Sequence, residues 1–262
     1  MNFRKTSVIV IGAAVIGWAL FSTVRHFPER ADEGMTFDRP PVTLPLVEEE
    51  RAVSEEPAVP ANAPAEPKIW IDTPFISQAP TGEWGESEFQ NGCEEASALM
   101  VYAWRTSKTY TKEAAKRELI AMARYQEKKI GQGIDTDAAE TARLLLSGYF
   151  DIDDYRLAYD FTLDELRRAT AEGLVIVPTN GRALSNPNFT LPGPLQHMLV
   201  ITGYDIEKKE FITNDPGTRK GEGYRYPEQV LFDAIREYPT GKHLPIATER
   251  KAMIIIPPAP AS

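Results

Sequence analysis

Cysteine is almost absent from this chain. Cys93 is the only one in 262 residues, so no disulfide can form within the protein, and in an exported chain one leftover cysteine is either an intermolecular link or a free reactive thiol. Histidine is nearly as scarce: His26, His197 and His243 are the three available, and imidazole acid–base chemistry has to use one of them. Positive charge is in deficit, with 29 Lys and Arg against 38 Asp and Glu and a formal charge of −9. No stretch supplies the basic footprint that phosphate binding requires, so nucleic acid is not expected as a partner. Internal repeats are missing, and Asp151, Asp153 and Asp154 lack the rest of a calcium loop, so they read as solvated turn residues. No cofactor and no metal are expected.

What is present divides into four segments. Residues 1–27 hold a short tail and an apolar run, Ser7 to Val24, free of charge until Arg25. That is about the length a spanning helix requires. Bulky Val24, Arg25, His26 and Phe27 follow where a signal peptide would carry small residues and a cleavage site, so the run reads as an uncleaved signal anchor. Arg4 and Lys5 before it and Arg25 and Arg30 after it do not separate the two sides. The short N-terminal tail favours an orientation with the remainder outside the cytoplasm. Residues 28–67 are rich in proline, alanine and glutamate, bury too little to fold, and read as an extended, self-repelling spacer. One globular domain is expected over 68–258, and 259–262 as a tail.

Within the domain, Ile69 to Ser77 has strand character, with Pro74 confining part of it to an edge. Cys93 opens an apolar helix after the turn at Gly92, with Ala96, Leu99, Met100 and Ala103 at helical spacing behind it. Further helices are expected at Thr111 to Tyr125, at Asp135 to Ser147, at Thr162 to Glu172 behind a capping box, and at Pro227 to Glu237. Strands are expected at Tyr155 to Tyr159, Leu174 to Thr179, His197 to Tyr204, Glu210 to Asn214 and Lys251 to Ile256. The loop Asn180 to Gln196 is longer than most connections, and is either disordered or a substrate-facing flap. Helices first and an antiparallel sheet after is the α+β pattern.

A free cysteine usually behaves as a small hydrophobe. At the N-terminus of a helix, however, unpaired backbone N–H groups and the helix dipole favour its thiolate. Glu94 and Glu95 act against that charge. Of the histidines, His26 flanks the apolar run and His243 lies in a charged, proline-bordered loop. His197 opens a strand, and the hairpin that folds back near Glu207 brings Thr213 to Gly217 alongside it. Asp215 then stands where it can orient the imidazole.

Gly92-Cys93-Glu94 opening an apolar helix, Gln78 after Pro74-Phe-Ile-Ser77, the run His197 to Tyr204, and Asn214-Asp215-Pro216-Gly217 together resemble the peptidase C39-like domain, within the papain-like cysteine peptidases. The resemblance spans roughly Ile69 to Pro257 and implies a papain-like fold. It also implies Cys93 as nucleophile, His197 as general base and acid, Asp215 as its orienter and Gln78 as oxyanion donor, with Gln90 competing for the last role. Many relatives carry Gly-Cys-Gly-Pro, whereas glutamates follow Cys93 here.

The expectation is a membrane-anchored, extracytoplasmic cysteine peptidase acting on peptide or protein substrates through an acyl-thioester. The membrane would be its partner through the N-terminal helix. Two alternatives are an amidase or endopeptidase of cell-wall peptidoglycan, and a non-catalytic module that binds peptides in the same groove.

Overall fold

The computed structural model describes residues 69–131, 135–241 and 243–260. The expected anchor and spacer lie outside them. No helix among the described residues is long and apolar enough to cross a membrane.

The alternation of large aliphatic residues in three strands sets the architecture. In β3 (Leu174–Asn180), β4 (Gln196–Asp205) and β7 (Ala252–Ile256), even-numbered residues such as Ile176, Val200 and Ile254 join one apolar cluster. Odd-numbered neighbours such as Val175, Leu199 and Ile255 join a second. Both faces of the sheet are therefore covered, and each strand reads as a continuous apolar run. With β1 (Ile69–Trp70), β2 (Arg156–Tyr159), β5 (Glu210–Asn214) and β6 (Tyr224–Pro227), these strands form an antiparallel sheet of order β2-β7-β3-β4-β5-β6. β1 lies against β4 beyond the start of β3.

On one face pack α2 (Cys93–Thr106), α3 (Lys112–Ile130) and the helical run α4 (Ala138–Thr141), a π-helical segment (Ala142–Ser147) and α5 (Gly148–Phe150). On the other lie α6 (Leu163–Glu172) and α7 (Glu228–Ala234). The short α1 (Ser87–Gln90) leads into α2. The result is a mixed helical and antiparallel α+β fold.

Local signals explain most helix ends. Thr111 caps α3 by accepting from the Ala114 N–H. Thr162 and Glu165 form the reciprocal capping box of α6, a device worth about 1 kcal/mol.

Several boundaries differ from the sequence-based expectation. α3 continues to Ile130, where Gly131 in a left-handed conformation ends it. α4 begins at Ala138 rather than Asp135, because the Asp137 carboxylate takes the Glu140 N–H as its cap. The strand expected over Ile69 to Ser77 keeps only its first two residues. After the Ile71 N–H bonds Thr202 O at 2.8 Å, the chain leaves the ladder. Pro74 has no N–H to offer, and Asn214 Nδ2 on Thr73 O and the Gln78 N–H on Pro216 O pin the segment instead. Finally, α7 stops at Ala234. Ile235 turns extended, bridges Thr179, and the Arg236 N–H bonds Pro178 O at 3.1 Å. This exchange carries Tyr238 into the core.

Candidate active site

α2 is nearly all interior: every residue from Cys93 to Val101 is buried. Gly92 delivers it by a close approach. Its φ of −90° is open to any residue, but a Cβ there would sit 2.7 Å from the carbonyl oxygen of Glu88. The glycine is needed for space between α1 and α2, not for an unusual backbone angle.

The β4–β5 hairpin sets the second half of the site. Its pairing places Val200 opposite Asn214, and continuing that register brings residue 217 beside 197. His197 Nε2 and Asp215 Oδ1 lie 2.8 Å apart, both buried. With the carboxylate ionised, Nε2 is the donor to Asp215, and Nδ1 is the ring nitrogen left for other partners. Asp215 also accepts from the Gly217 N–H at 3.0 Å, the Tyr226 hydroxyl at 2.6 Å and Asn186 Nδ2 at 3.4 Å. Burial alone would raise its pKa. The His197 charge and hydrogen bond outweigh burial, with help from Tyr226 and Gly217, and Asp215 lies below the usual range. Gly217 approaches the ring so closely that a Cβ would stand 2.8 Å from His197 Cε1. Phe189 meets the imidazole edge-on, with centroids 5.4 Å apart.

Cys93, His197, Gln78 and Gln90 line one cavity of about 740 Å3. Its wall includes Asn188, Phe189, Thr190 and Pro194 from the loop Asn180 to Gln196. That loop is folded against the site, with Leu184, Asn186 and Phe189 buried, so the expectation of disorder is corrected. A smaller cavity of about 210 Å3 also opens on Cys93, and Asp135 and His243 line it. His243 Nδ1 stands 3.1 Å from Asp135 Oδ2. His243 thus lies closer to the thiol than its loop position indicated.

The thiol itself faces an acid. Cys93 Sγ donates to Glu94 Oε2 at 3.1 Å, and among the described residues no hydrogen bond joins it to His197. Burial, the Glu94 charge and hydrogen bond, and the Asp135 charge push the thiol well above its ordinary pKa; the Met198 N–H acts the other way. Glu94 is equally enclosed: Tyr238 Oη donates to its Oε1 at 2.7 Å and the Thr136 N–H at 3.3 Å. Burial and the nearby Asp135 raise it to about 7. The two glutamates expected to flank a helix start are interior residues, 1% and 2% exposed.

Gln78 sits behind this turn. Its side-chain amide gives both hydrogens to backbone carbonyls, to Phe89 O at 2.8 Å and Gln90 O at 3.0 Å, while Oε1 is buried without a partner. In this arrangement the residue clamps the approach to α2. Asp154, read as a solvated turn residue, pairs with Arg105 at 2.9 Å.

Sequence reasoning did not find Tyr226, Asn186 or the role of Gly217. Tyr226 lies in the short strand β6 and Asn186 in an irregular loop; neither position carries a local signal, because both reach Asp215 only in the folded chain.

Cys93 at a helix start and His197 of a buried histidine–carboxylate pair thus stand on one cavity of an α+β fold. The model of the Peptidase_C39 like family matches residues 70–239, and the chain belongs to that family. The final strand of the sheet, β7, lies beyond the matched stretch. No curated protein matches the chain.

Proposed function

We propose that the chain is a papain-like cysteine peptidase with Cys93 as nucleophile, His197 as base and acid, and Asp215 as the orienter of His197. The observation that carries this reading is the 2.8 Å pair of His197 and Asp215 on the cavity that also holds the single cysteine. The Cys93 proton passes to His197 Nδ1 and the sulfur attacks the substrate carbonyl carbon. His197 then returns that proton to the leaving amine as the C–N bond breaks, which leaves an acyl-thioester. Water, deprotonated by His197, hydrolyses the thioester and restores the thiol. The backbone N–H of Cys93, at the first position of α2, is suited to the oxyanion. Gln78 serves as a second donor only when one amide hydrogen leaves the Phe89 or Gln90 carbonyl.

The proposed attachment is a single membrane anchor at Ser7 to Val24, a spacer over 28–67 and a catalytic domain over 68–258 outside the cytoplasm. The uncharged run and the acidic, proline-rich stretch after it support this reading. A protease added to intact cells then releases the domain; protection until the membrane is lysed removes the orientation.

A second reading, a peptide-binding module without turnover, is favoured by one observation: the thiol rests on a carboxylate that opposes its ionisation. Incubating the protein with peptide libraries and analysing the products by mass spectrometry separates the two. Hydrolysis that disappears in Cys93→Ala and His197→Ala establishes the peptidase. Intact peptides together with retained binding establish the module.

A further inference from the structure

Arg219 and Lys220 are the arginine and lysine in the wall of the 740 Å3 cavity, and that wall contains no Asp or Glu; Asp135 lines only the smaller cavity beside it. A second cavity of about 400 Å3 shares Arg219 with the first, adds Lys112, and again has no carboxylate in its lining. Its apolar surface comes from Phe75, Ile76, Pro80 and Tyr110. In a chain where 38 acidic residues outnumber 29 basic ones, two cavities joined at an arginine and free of acids run against the composition.

The cations there are uncommitted. Elsewhere Lys116 pairs with Glu83, Arg167 with Glu228, and Arg225 with Asp205 and Glu210. Among the described residues Lys112, Arg219 and Lys220 make no ion pair. Arg219 is exposed, on the rim that the two cavities share. Its guanidinium lies over the turn closed by the Gly82 N–H on Ala79 O, where a Cβ at residue 82 would come 3.0 Å from Nη2.

We propose that the site selects peptides that carry a carboxylate side chain next to an apolar one, with the carboxylate on Arg219 and Lys220 and the apolar group in the second cavity. The planar guanidinium fork matches a carboxylate with two parallel hydrogen bonds, and the lysine adds a point charge. Apolar walls with a few placed polar groups are the usual make-up of a site that fixes one side chain. This names the substrate class of the proposed peptidase and rests on that reading only for the cleavage step; recognition itself does not require turnover.

The test uses the full chain carrying Cys93→Ala, so that binding is read without cleavage. Fluorescein-labelled linear peptides that differ only in glutamate, glutamine or lysine beside a leucine are titrated by anisotropy. The glutamate peptide is expected to bind about tenfold tighter than its glutamine counterpart at low salt, the gap narrowing as ionic strength rises. Arg219→Gln should close most of the gap, and Arg219→Glu should make the lysine peptide the preferred one. Replacing the leucine by alanine should weaken binding in all three series. Equal affinity for the glutamate and glutamine peptides, or a gap that survives Arg219→Gln, overturns the proposal. Soluble muropeptides, which also carry carboxylates, are added as competitors; displacement stronger than that by the unlabelled glutamate peptide overturns the linear peptide as the source. The cysteine-containing chain is assayed for cleavage in parallel. Charge-selective binding without cleavage leaves the inference standing and removes the peptidase reading, and cleavage without charge preference does the reverse.

Discussion

Cys93 donates its thiol hydrogen to Glu94, the next residue in the chain. Side chains at adjacent positions of a helix do not face each other. Here both are interior, and Tyr238 and Thr136 hold the carboxylate in place against the sulfur.

The Cys93–Glu94 contact predicts the thiol's pH profile. Glu94 raises the thiol pKa by its charge and its hydrogen bond, so Glu94→Gln should lower it and extend alkylation by iodoacetamide to lower pH. A thiol made about tenfold more acidic carries about tenfold more thiolate at a pH below both pKa values, and alkylation there speeds up accordingly. His197→Ala should suppress the alkylation that remains at neutral pH, and Asp215→Ala should weaken it less. A profile unchanged in His197→Ala means that the two residues are not partners.

Stability should fall as the pH rises through the weakly acidic range. Glu94 and Glu237 move from 4.5 to about 7, chiefly because burial penalises their charge, and burial moves Glu95 in the same direction. A group whose folded pKa is raised contributes its stability fully below the unfolded value and loses it as pH climbs through the folded one. For Glu94 and Glu237 the window therefore runs from about 4.5 to 7. Asp215, lowered from 3.8, acts in the opposite sense and below this window. Thermal melts across the range should show a declining Tm, and Glu237→Gln should flatten the slope while keeping the bond from the Ala138 N–H. A Tm constant through the window would show these carboxyls to be solvated.

Glu95 faces Gln126, whose Nε2 donates to Glu95 Oε1, while Glu95 Oε2 and Gln126 Oε1 are buried without partners. Burial raises the Glu95 pKa and so favours the protonated acid, whose O–H is a donor that an amide oxygen such as Gln126 Oε1 can accept. Glu95→Gln should therefore be tolerated within about 1 kcal/mol in denaturant titrations, whereas Glu95→Ala should cost about 1–3 kcal/mol by stranding the amide. Equal losses for the two variants would remove the protonated pair.

Gly217→Ala should silence hydrolysis while leaving the fold intact. Its Cβ would stand 2.8 Å from His197 Cε1, and either the ring or the loop has to yield, at about 1–3 kcal/mol. The expected result is a fall in kcat/KM of at least about a hundredfold with an unchanged circular dichroism spectrum. Tyr226→Phe, which removes one donor from Asp215, should act more mildly and through the pH profile. Full activity in Gly217→Ala would dissociate the imidazole position from catalysis.

Gln78→Ala separates clamp from oxyanion donor. Loss of the bonds to Phe89 O and Gln90 O should cost about 1–3 kcal/mol of stability. Loss of an oxyanion donor should lower kcat by about a hundredfold or more. Denaturant titration and steady-state kinetics on the same variant show which role the residue plays.

The amino-acid sequence by itself determined the elements whose signals are local. Compact apolar runs marked β3, β4 and β7, the Thr162 capping box marked α6, and the spacing behind Cys93 marked α2, because these depend on residues a few positions apart. His197 and Asp215 were legible for the same reason: one short hairpin joins them, although the bulge between Ile201 and Gly203 that shifts its register by one residue is a feature of the folded sheet. Tertiary structure alone decided what surrounds them. Tyr226, Asn186 and Tyr238 reach the site across the sheet or from a chain that has left its helix, and no local pattern encodes such a meeting. The state of Glu94 and Glu95 was decided in the same way. Charge at a helix start reads as solvated in sequence, and only the packing of α2 between the sheet and α3 removes the water that would have kept these carboxyls ionised.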